Sequence, residues 1–193
     1  MIYRGVTYTN PGRENNMAEN IILIGFMAVG KGRTARKLSE KTGLYTVDTD
    51  DLIETLVNKK VKKIFKKKGE GHFRALERKT ADWLERHVSG TIVSTGGGFF
   101  MVENIRRLGT VVYLHSPFDA IIEKLNRSPA GSRRIKKRPL LQDPVQAQKL
   151  YDTRLPQYRR VAHVEVSVHD RSRSAIVDEI IQRLDISVDR RHG

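Results

Sequence analysis

The chain has no cysteine in its 193 residues. That excludes disulfides and thiolate metal sites and fits a cytoplasmic setting. Its apolar runs end after about six residues, far short of a membrane span. The N-terminus lacks the basic-then-apolar plan of a secretory signal. Aromatic residues make up only 7%, and they do not interleave the basic clusters as a single-strand stacking platform requires. There is no internal repeat. What is there is an ordinary globular balance, 38% apolar and 30% charged, in a length that suits one domain with a sizeable core.

Charge of one sign is in excess. Lys and Arg total 36 against 22 Asp and Glu, a net +14. Such a surplus attracts polyanions, either nucleic acid or phosphorylated small molecules. It is concentrated at residues 59–68, KKVKKIFKKK, with seven lysines, and at residues 127–138, with six basic side chains. The first reads as a solvated helix face. The second lies in a Pro- and Gly-containing loop, 127–143, that interrupts a regular alternation of strand and helix and reads as a basic lid.

The most informative stretch is IILIGFMAVGKGRT, residues 21–34. Residues 20–25 form a short β-branched run, as a buried strand does. Gly25, Gly30 and Lys31 then give the G-x-x-x-x-G-K spacing of a phosphate-binding loop. A helix from Lys31 to Lys41 follows, stopped by Thr42-Gly43. Curled backbone N–H groups, the helix dipole and the Lys31 ammonium all favour phosphate there. One position departs from the motif. Gly32 stands where a Ser or Thr ligand of Mg²⁺ is usual, and water can take that vacancy. Within the loop, the methyl of Ala28 fits only at negative φ.

Downstream, Leu44–Val47 predicts a second strand ending in Asp48-Thr49-Asp50-Asp51. Carboxylates at that end of a strand sit where doubly wound sheets bind ligands, although Asp50 or Asp51 also suits a cap for a helix Leu52–Val57. Residues 61–88 predict a short helix presenting Ile64 and Phe65, a break at Gly69, and a longer helix. Its apolar positions include Phe73, Leu76, Trp83 and Leu84, which places Trp83 in the core. Arg74 lies off that stripe, within one turn of Glu70 and Glu77. Thr91–Ser94 is a third strand, running into Thr95-Gly96-Gly97-Gly98, where backbone can approach a ligand closely. Val111–Leu114 and His163–Val168 complete five strands. Ser116-Pro117 and Asp143-Pro144 each begin a helix, and Ser174–Leu184 closes the chain. Alternating strands and helices predict an α/β parallel sheet covered on both faces. His72, His87, His115, His163 and His169 have no metal-ligand spacing. Residues 1–19 read as a flexible extension, with Met17 a second candidate start, before one domain over 20–188.

Six ordered motifs resemble those of the shikimate kinases: GFMAVGKG, DTDDLIE at 48–54, I-F-x-x-x-G-E-x-x-F-R-x-x-E at 64–77, TGGG at 95–98, RPLL at 138–141, and R-x-P-x-Y-x-x-V-A at 154–162. The resemblance implies a P-loop three-layer fold like the nucleoside monophosphate kinases, with a substrate-binding region near 51–79 and a lid. It implies transfer of the γ-phosphoryl group of ATP to the 3-hydroxyl of shikimate, with Mg²⁺. By position, Ala28, Val29, Gly30, Lys31, Gly32, Arg33 and Arg138 would hold the nucleotide phosphates. Arg127 and Ser172–Arg173 would lie near adenine. Asp50 would be the base or orienting group, and Asp48 would help hold Mg²⁺ through water. Arg74 and Arg154 would clamp the shikimate carboxylate, and Gly97 would offer its N–H. The expected partners are shikimate and ATP, with no membrane, no nucleic acid and a monomeric state. The alternatives are a gluconate or nucleotide kinase of the same fold, or a non-catalytic basic P-loop module that binds nucleic acid.

Overall fold

In the computed structural model the described residues are 19–127 and 141–186. The expectations for residues 1–18, for most of the lid including Arg138, and for the tail lie outside them.

The central strand, β1 (Asn20–Ile24), is buried along its whole length. Its side chains alternate between two apolar layers, as a strand's period of two dictates. Ile21 and Leu23 pack with Ala35 and Leu38 of α1 (Lys31–Thr42) and with Ile176, Val177 and Ile180 of α6 (Arg173–Arg183). Ile22 and Ile24 face the other way, towards α3 (Val61–His87), α4 (Phe118–Arg127) and α5 (Pro144–Val161), where Leu84, Ile121 and Tyr158 are buried. With β2 (Thr46–Asp48), β3 (Ile92–Ser94), β4 (Gly109–His115) and β5 (Val164–Ser167), β1 makes a five-stranded, all-parallel sheet in the order β2-β3-β1-β4-β5. This is the predicted three-layer architecture. The Asn20 side chain secures its lower edge, donating to the carbonyls of Val88 (2.8 Å) and Leu108 (2.9 Å) and accepting from the Thr91 N–H (3.1 Å).

Several boundaries differ from expectation for identifiable reasons. Strand β2 begins at Thr46 because Leu44 is engaged by α1: Ser39 Oγ donates to its carbonyl (2.6 Å), and its N–H donates to Thr42 Oγ1 (3.3 Å). Helix α2 (Thr49–Val57) begins three residues early, and its cap is Asp48 rather than Asp50 or Asp51; Asp48 Oδ1 accepts from the Asp50 N–H at 3.0 Å. Helix α4 begins at Phe118 because the Pro117 carbonyl already accepts the first helical bond, from Ile121 N–H.

Helix α3 is two helical stretches joined at Gly69, whose φ of 77° and ψ of 177° are non-helical and close to glycine-only. Its first stretch turns Ile64 inward against Ile53 of α2 and Phe73, a third, small apolar cluster. All seven lysines of 59–68 are exposed, as a solvated face requires. The second stretch corrects one expectation. The buried positions are Phe73, Glu77, Thr80, Ala81 and Leu84, whereas Trp83 is 46% exposed and lies alongside His87. At 3.6 residues per turn, Trp83 falls about 280° round the helix from Phe73 and Leu84 only about 20°.

These neighbours should therefore respond oppositely to truncation. Leu84→Ala is expected to cost about 2–5 kcal/mol of unfolding free energy, and Trp83→Ala less than about 1 kcal/mol, measured by denaturant titration.

Candidate active site

The chain leaves β1 at Gly25 and re-enters regular structure at Lys31, so the loop between them opens at the carboxyl edge of the sheet. Gly30 caps α1 in the left-handed region (φ 114°). The Lys31 ammonium folds back over the loop and donates to the carbonyls of Gly25 (2.7 Å) and Phe26 (3.1 Å). Ala28 has φ +66°, which corrects the expectation of a negative value. The loop takes the conformation a glycine would take, with the methyl group accommodated in the left-handed basin at a cost of about 1–2 kcal/mol.

A cleft of about 410 Å³ spans this loop and the ends of β2 and β3. Ala28, Val29, Gly30, Lys31, Gly32 and Arg33 line one side, with Arg36, Lys124 and Arg173; Asp48, Asp50, Ser94 and Thr95-Gly96-Gly97 line the other. The predicted phosphate loop and predicted carboxylates thus share one cavity. Arg173 Nη1 donates to Thr34 Oγ1 (3.0 Å), which holds its guanidinium beside Gly30. Burial and the neighbouring Arg33 lower the Arg173 pKa. Burial, then Arg173 and Arg33, lowers that of Lys124. A crowd of cations that repel one another is relieved by an anion.

Arg36 and Lys124 were not singled out in the sequence, although Lys124 lies one helical turn from Arg127. Arg127 itself is exposed, pairs with Glu123, and borders a more open groove along α4 rather than the cleft. Ser172 caps α6, accepting from the Ala175 N–H at 3.1 Å, and does not line the cleft.

On the acidic side, Asp48 is held at both oxygens: Oδ1 by the Asp50 N–H (3.0 Å) and Oδ2 by Ser94 Oγ–H (2.8 Å). Burial, then Asp48, raises the Asp50 pKa to about 6, against the pull of Lys31. The Gly96 N–H donates to Thr49 Oγ1 (2.9 Å), which joins the start of α2 to the glycine turn.

The three glycines have separate reasons. A Cβ at Gly96 would lie 2.6 Å from Asp50 Oδ1, and one at Gly98 would overlap the Arg74 guanidinium. The Gly97 carbonyl accepts from Arg154 Nη1 (3.1 Å) and from the Tyr158 hydroxyl (2.5 Å). Asp50, Arg74 and Arg154 therefore meet at one turn.

Glu77 was missed as a site residue. Its carboxylate is 1% exposed and pairs through Oε2 with Arg74, which also pairs with Glu70. Glu77 Oε1 has no hydrogen-bond partner among the described residues. Burial holds the Glu77 carboxyl above its usual pKa, although Arg74 pulls it down. Its signal was a carboxylate inside an apolar stripe, three residues after an arginine. Tyr158 was missed too. It stacks on Tyr113 (5.1 Å between centroids) and packs against Phe100, and burial raises its hydroxyl pKa to about 12.

The backbone at position 28 gives a direct test. Ala28→Gly should stabilise the fold by roughly 0.5–1 kcal/mol, the relieved left-handed strain exceeding glycine's added unfolded-state entropy. Ala28→Val should destabilise it, because a β-branched residue is a worse fit at positive φ. Thermal and denaturant unfolding of the three proteins decides it.

The chain that builds this cleft is similar to known proteins. The family model for shikimate kinase matches residues 27–185. A shikimate kinase of Helicobacter hepaticus is 33% identical over 170 residues, covering 88% of this chain and 98% of that one. That of Persephonella marina is 36% identical over 172 residues, covering 86% and 98%. The solved shikimate kinase of Acinetobacter baumannii, in complex with shikimate, superposes with a TM-score of 0.75 at 29% identity, covering 86% of this chain and 93% of that one. The chain belongs to the shikimate kinase family.

Proposed function

We propose that this chain transfers the γ-phosphoryl group of ATP to the 3-hydroxyl of shikimate, using Asp50 as base and the Arg74/Arg154 pair as carboxylate clamp. The observation that carries the reading is the meeting of Asp50, Arg74 and Arg154 at the Gly96–Gly98 turn, opposite the Lys31 loop. It is supported by family membership, and the Acinetobacter relative's complex supplies the substrate.

The chemistry follows from the placement of charge. Two guanidinium groups suit a carboxylate by their planar donors. They fix one end of a small polyol so that a hydroxyl meets Asp50. With a pKa near 6, Asp50 is mostly ionised at neutral pH and accepts the hydroxyl proton as the new O–P bond forms. The bond from the γ-phosphorus to the β-γ bridging oxygen breaks, and ADP leaves. Lys31, with the neighbouring Arg33, Lys124 and Arg173, offsets the negative charge of the phosphates. Arg138 of the lid joins them in this reading.

Mg²⁺ fits the acidic side by donor chemistry. It takes oxygen ligands and keeps several waters. Among the described residues no group of three or more His, Cys, Asp or Glu side chains forms a metal cage, so phosphate and water must supply most of its shell. Asp48 would hold it through water. When bound, the ion neutralises charge on the transferring group. In this reading the enzyme works as a monomer in the cytoplasm. No helix among the described residues is long and apolar enough to cross a membrane.

ADP release in a coupled assay should require shikimate. Release driven by gluconate or AMP, and not by shikimate, overturns the substrate assignment. The turnover of the wild type should rise with pH through about 6 and level off above it. Asp50→Asn should lower turnover at least ~100-fold while ATP still binds. The same substitution has a stability signature. The folded Asp50 pKa lies above its ordinary 3.8, so the carboxylate opposes folding above pH 6 and has no effect below the unfolded value. Asp50→Asn should thus raise Tm at pH 8 and leave it unchanged near pH 3.

Gly98→Ala should lower Tm, because its methyl displaces the Arg74 guanidinium that pairs with the buried Glu77. It should raise KM for shikimate more than KM for ATP; equal effects on both would show that Arg74 does not serve the carboxylate.

A further inference from the structure

Gly32 lacks the hydroxyl that is usual after a phosphate-loop lysine, and another hydroxyl lies close to its place. At position 32 a Cβ would lie 3.7 Å from Ser94 Oγ. The Ser94 hydroxyl therefore borders the space that a Ser or Thr side chain at 32 would occupy. The sheet register puts it there. Ser94, the last residue of β3, lies beside Leu23 of β1 on one side and Asp48 of β2 on the other. Its side chain is 3% exposed yet borders the cleft that holds Lys31 and Asp50.

The hydrogen bonding defines what this hydroxyl has left to offer. A serine hydroxyl carries one proton and two lone pairs. Ser94 gives its proton to Asp48 Oδ2 at 2.8 Å, and the other Asp48 oxygen is fixed by the Asp50 N–H. Asp48 thus acts as a fixed acceptor that commits the proton and leaves the oxygen's lone pairs for a cation. Carboxylates behind metal-binding groups orient and strengthen donors in this way. Mg²⁺ is a hard cation that takes neutral and anionic oxygens alike.

We infer that the Ser94 hydroxyl, oriented by Asp48, takes over the magnesium-holding role of the missing hydroxyl at position 32. The inference rests on the phosphoryl-transfer reading for the nucleotide, and not on the identity of the acceptor. It also revises the sequence-based expectation that solvent alone fills the vacancy. The P-loop hydroxyl has moved from the first turn of α1 to the end of β3, across the same cleft.

The test reads nucleotide binding without turnover. A non-hydrolysable ATP analogue is titrated into the wild type, Ser94→Ala, Ser94→Thr and the double variant Gly32→Ser/Ser94→Ala, first in EDTA and then at increasing Mg²⁺. Ser94→Ala should raise the half-saturating Mg²⁺ concentration about 10- to 100-fold, with affinity in EDTA unchanged. Ser94→Thr should stay near the wild type, and Gly32→Ser should restore the double variant. An unchanged Mg²⁺ dependence in Ser94→Ala overturns the inference, as does an equal loss of affinity with and without metal, the mark of a merely structural hydrogen bond. If Ser94→Ala fails to fold, a Gly32→Ser variant that needs about 10-fold less Mg²⁺ than the wild type, the mark of a position left to solvent, overturns it instead. Because shikimate is absent throughout, failure of the acceptor assignment appears only in the ADP-release assay and leaves this result intact.

Discussion

Five consecutive buried residues, Asn20 to Ile24, leave β1 no side-chain face for solvent. Layers packed on both sides hold the strand in place, and its parallel neighbours take up its backbone groups. Chemistry can then occur only where the strands end, and parallel strands all end on the same side. The Gly25–Gly30 loop after β1, Asp48 at the end of β2 and the glycine turn after β3 are brought together by this geometry before any side chain contributes specificity. The cleft is a product of sheet direction, and its residue types determine what it binds.

Those residue types are in electrostatic tension. On one wall burial, and after it the neighbouring guanidinium groups of Arg173 and Arg33, depresses the basicity of Lys124, and burial with Arg33 depresses that of Arg173. On the other, Asp48 and burial hold Asp50 near a pKa of 6. Neither wall is arranged for maximal stability in the absence of ligands. In the proposed reading phosphate would bring the counter-charge for the first wall and Mg²⁺ that for the second, the usual exchange of stability for function at an active site. Ala28, held at positive φ, is a backbone instance of the same exchange.

The sheet, the loop and most of the site were legible because they are local: short β-branched runs, glycines at fixed offsets and carboxylates at strand ends. The losses were of three physical kinds. Helix phase was misjudged at Trp83, where an aromatic side chain suggested burial that the angle round the helix denied. Capping was misassigned: Asp48, the residue proposed to hold the metal through water, is itself the cap expected of Asp50 or Asp51. Long-range placement was invisible. Nothing in the spacing of Lys124 or Ser94 announces the P-loop opposite, and Glu77 becomes a site residue only when Arg74 turns towards the glycines. The backbone at Ala28 was misread for a simpler reason: a glycine-like φ was assumed to require glycine.

The break at Gly69 has a consequence for the economy of the molecule. It lies inside the packing unit that α2 and both stretches of α3 form on Ile53, Ile64 and Phe73, a cluster distinct from the two large layers against the sheet. Arg74 emerges one residue after Phe73. The guanidinium assigned to the substrate carboxylate is thus carried by the smallest packing unit of the fold, the unit with least burial to lose when it opens. In the proposed reading, a substrate that engages Arg74 therefore also stabilises that unit.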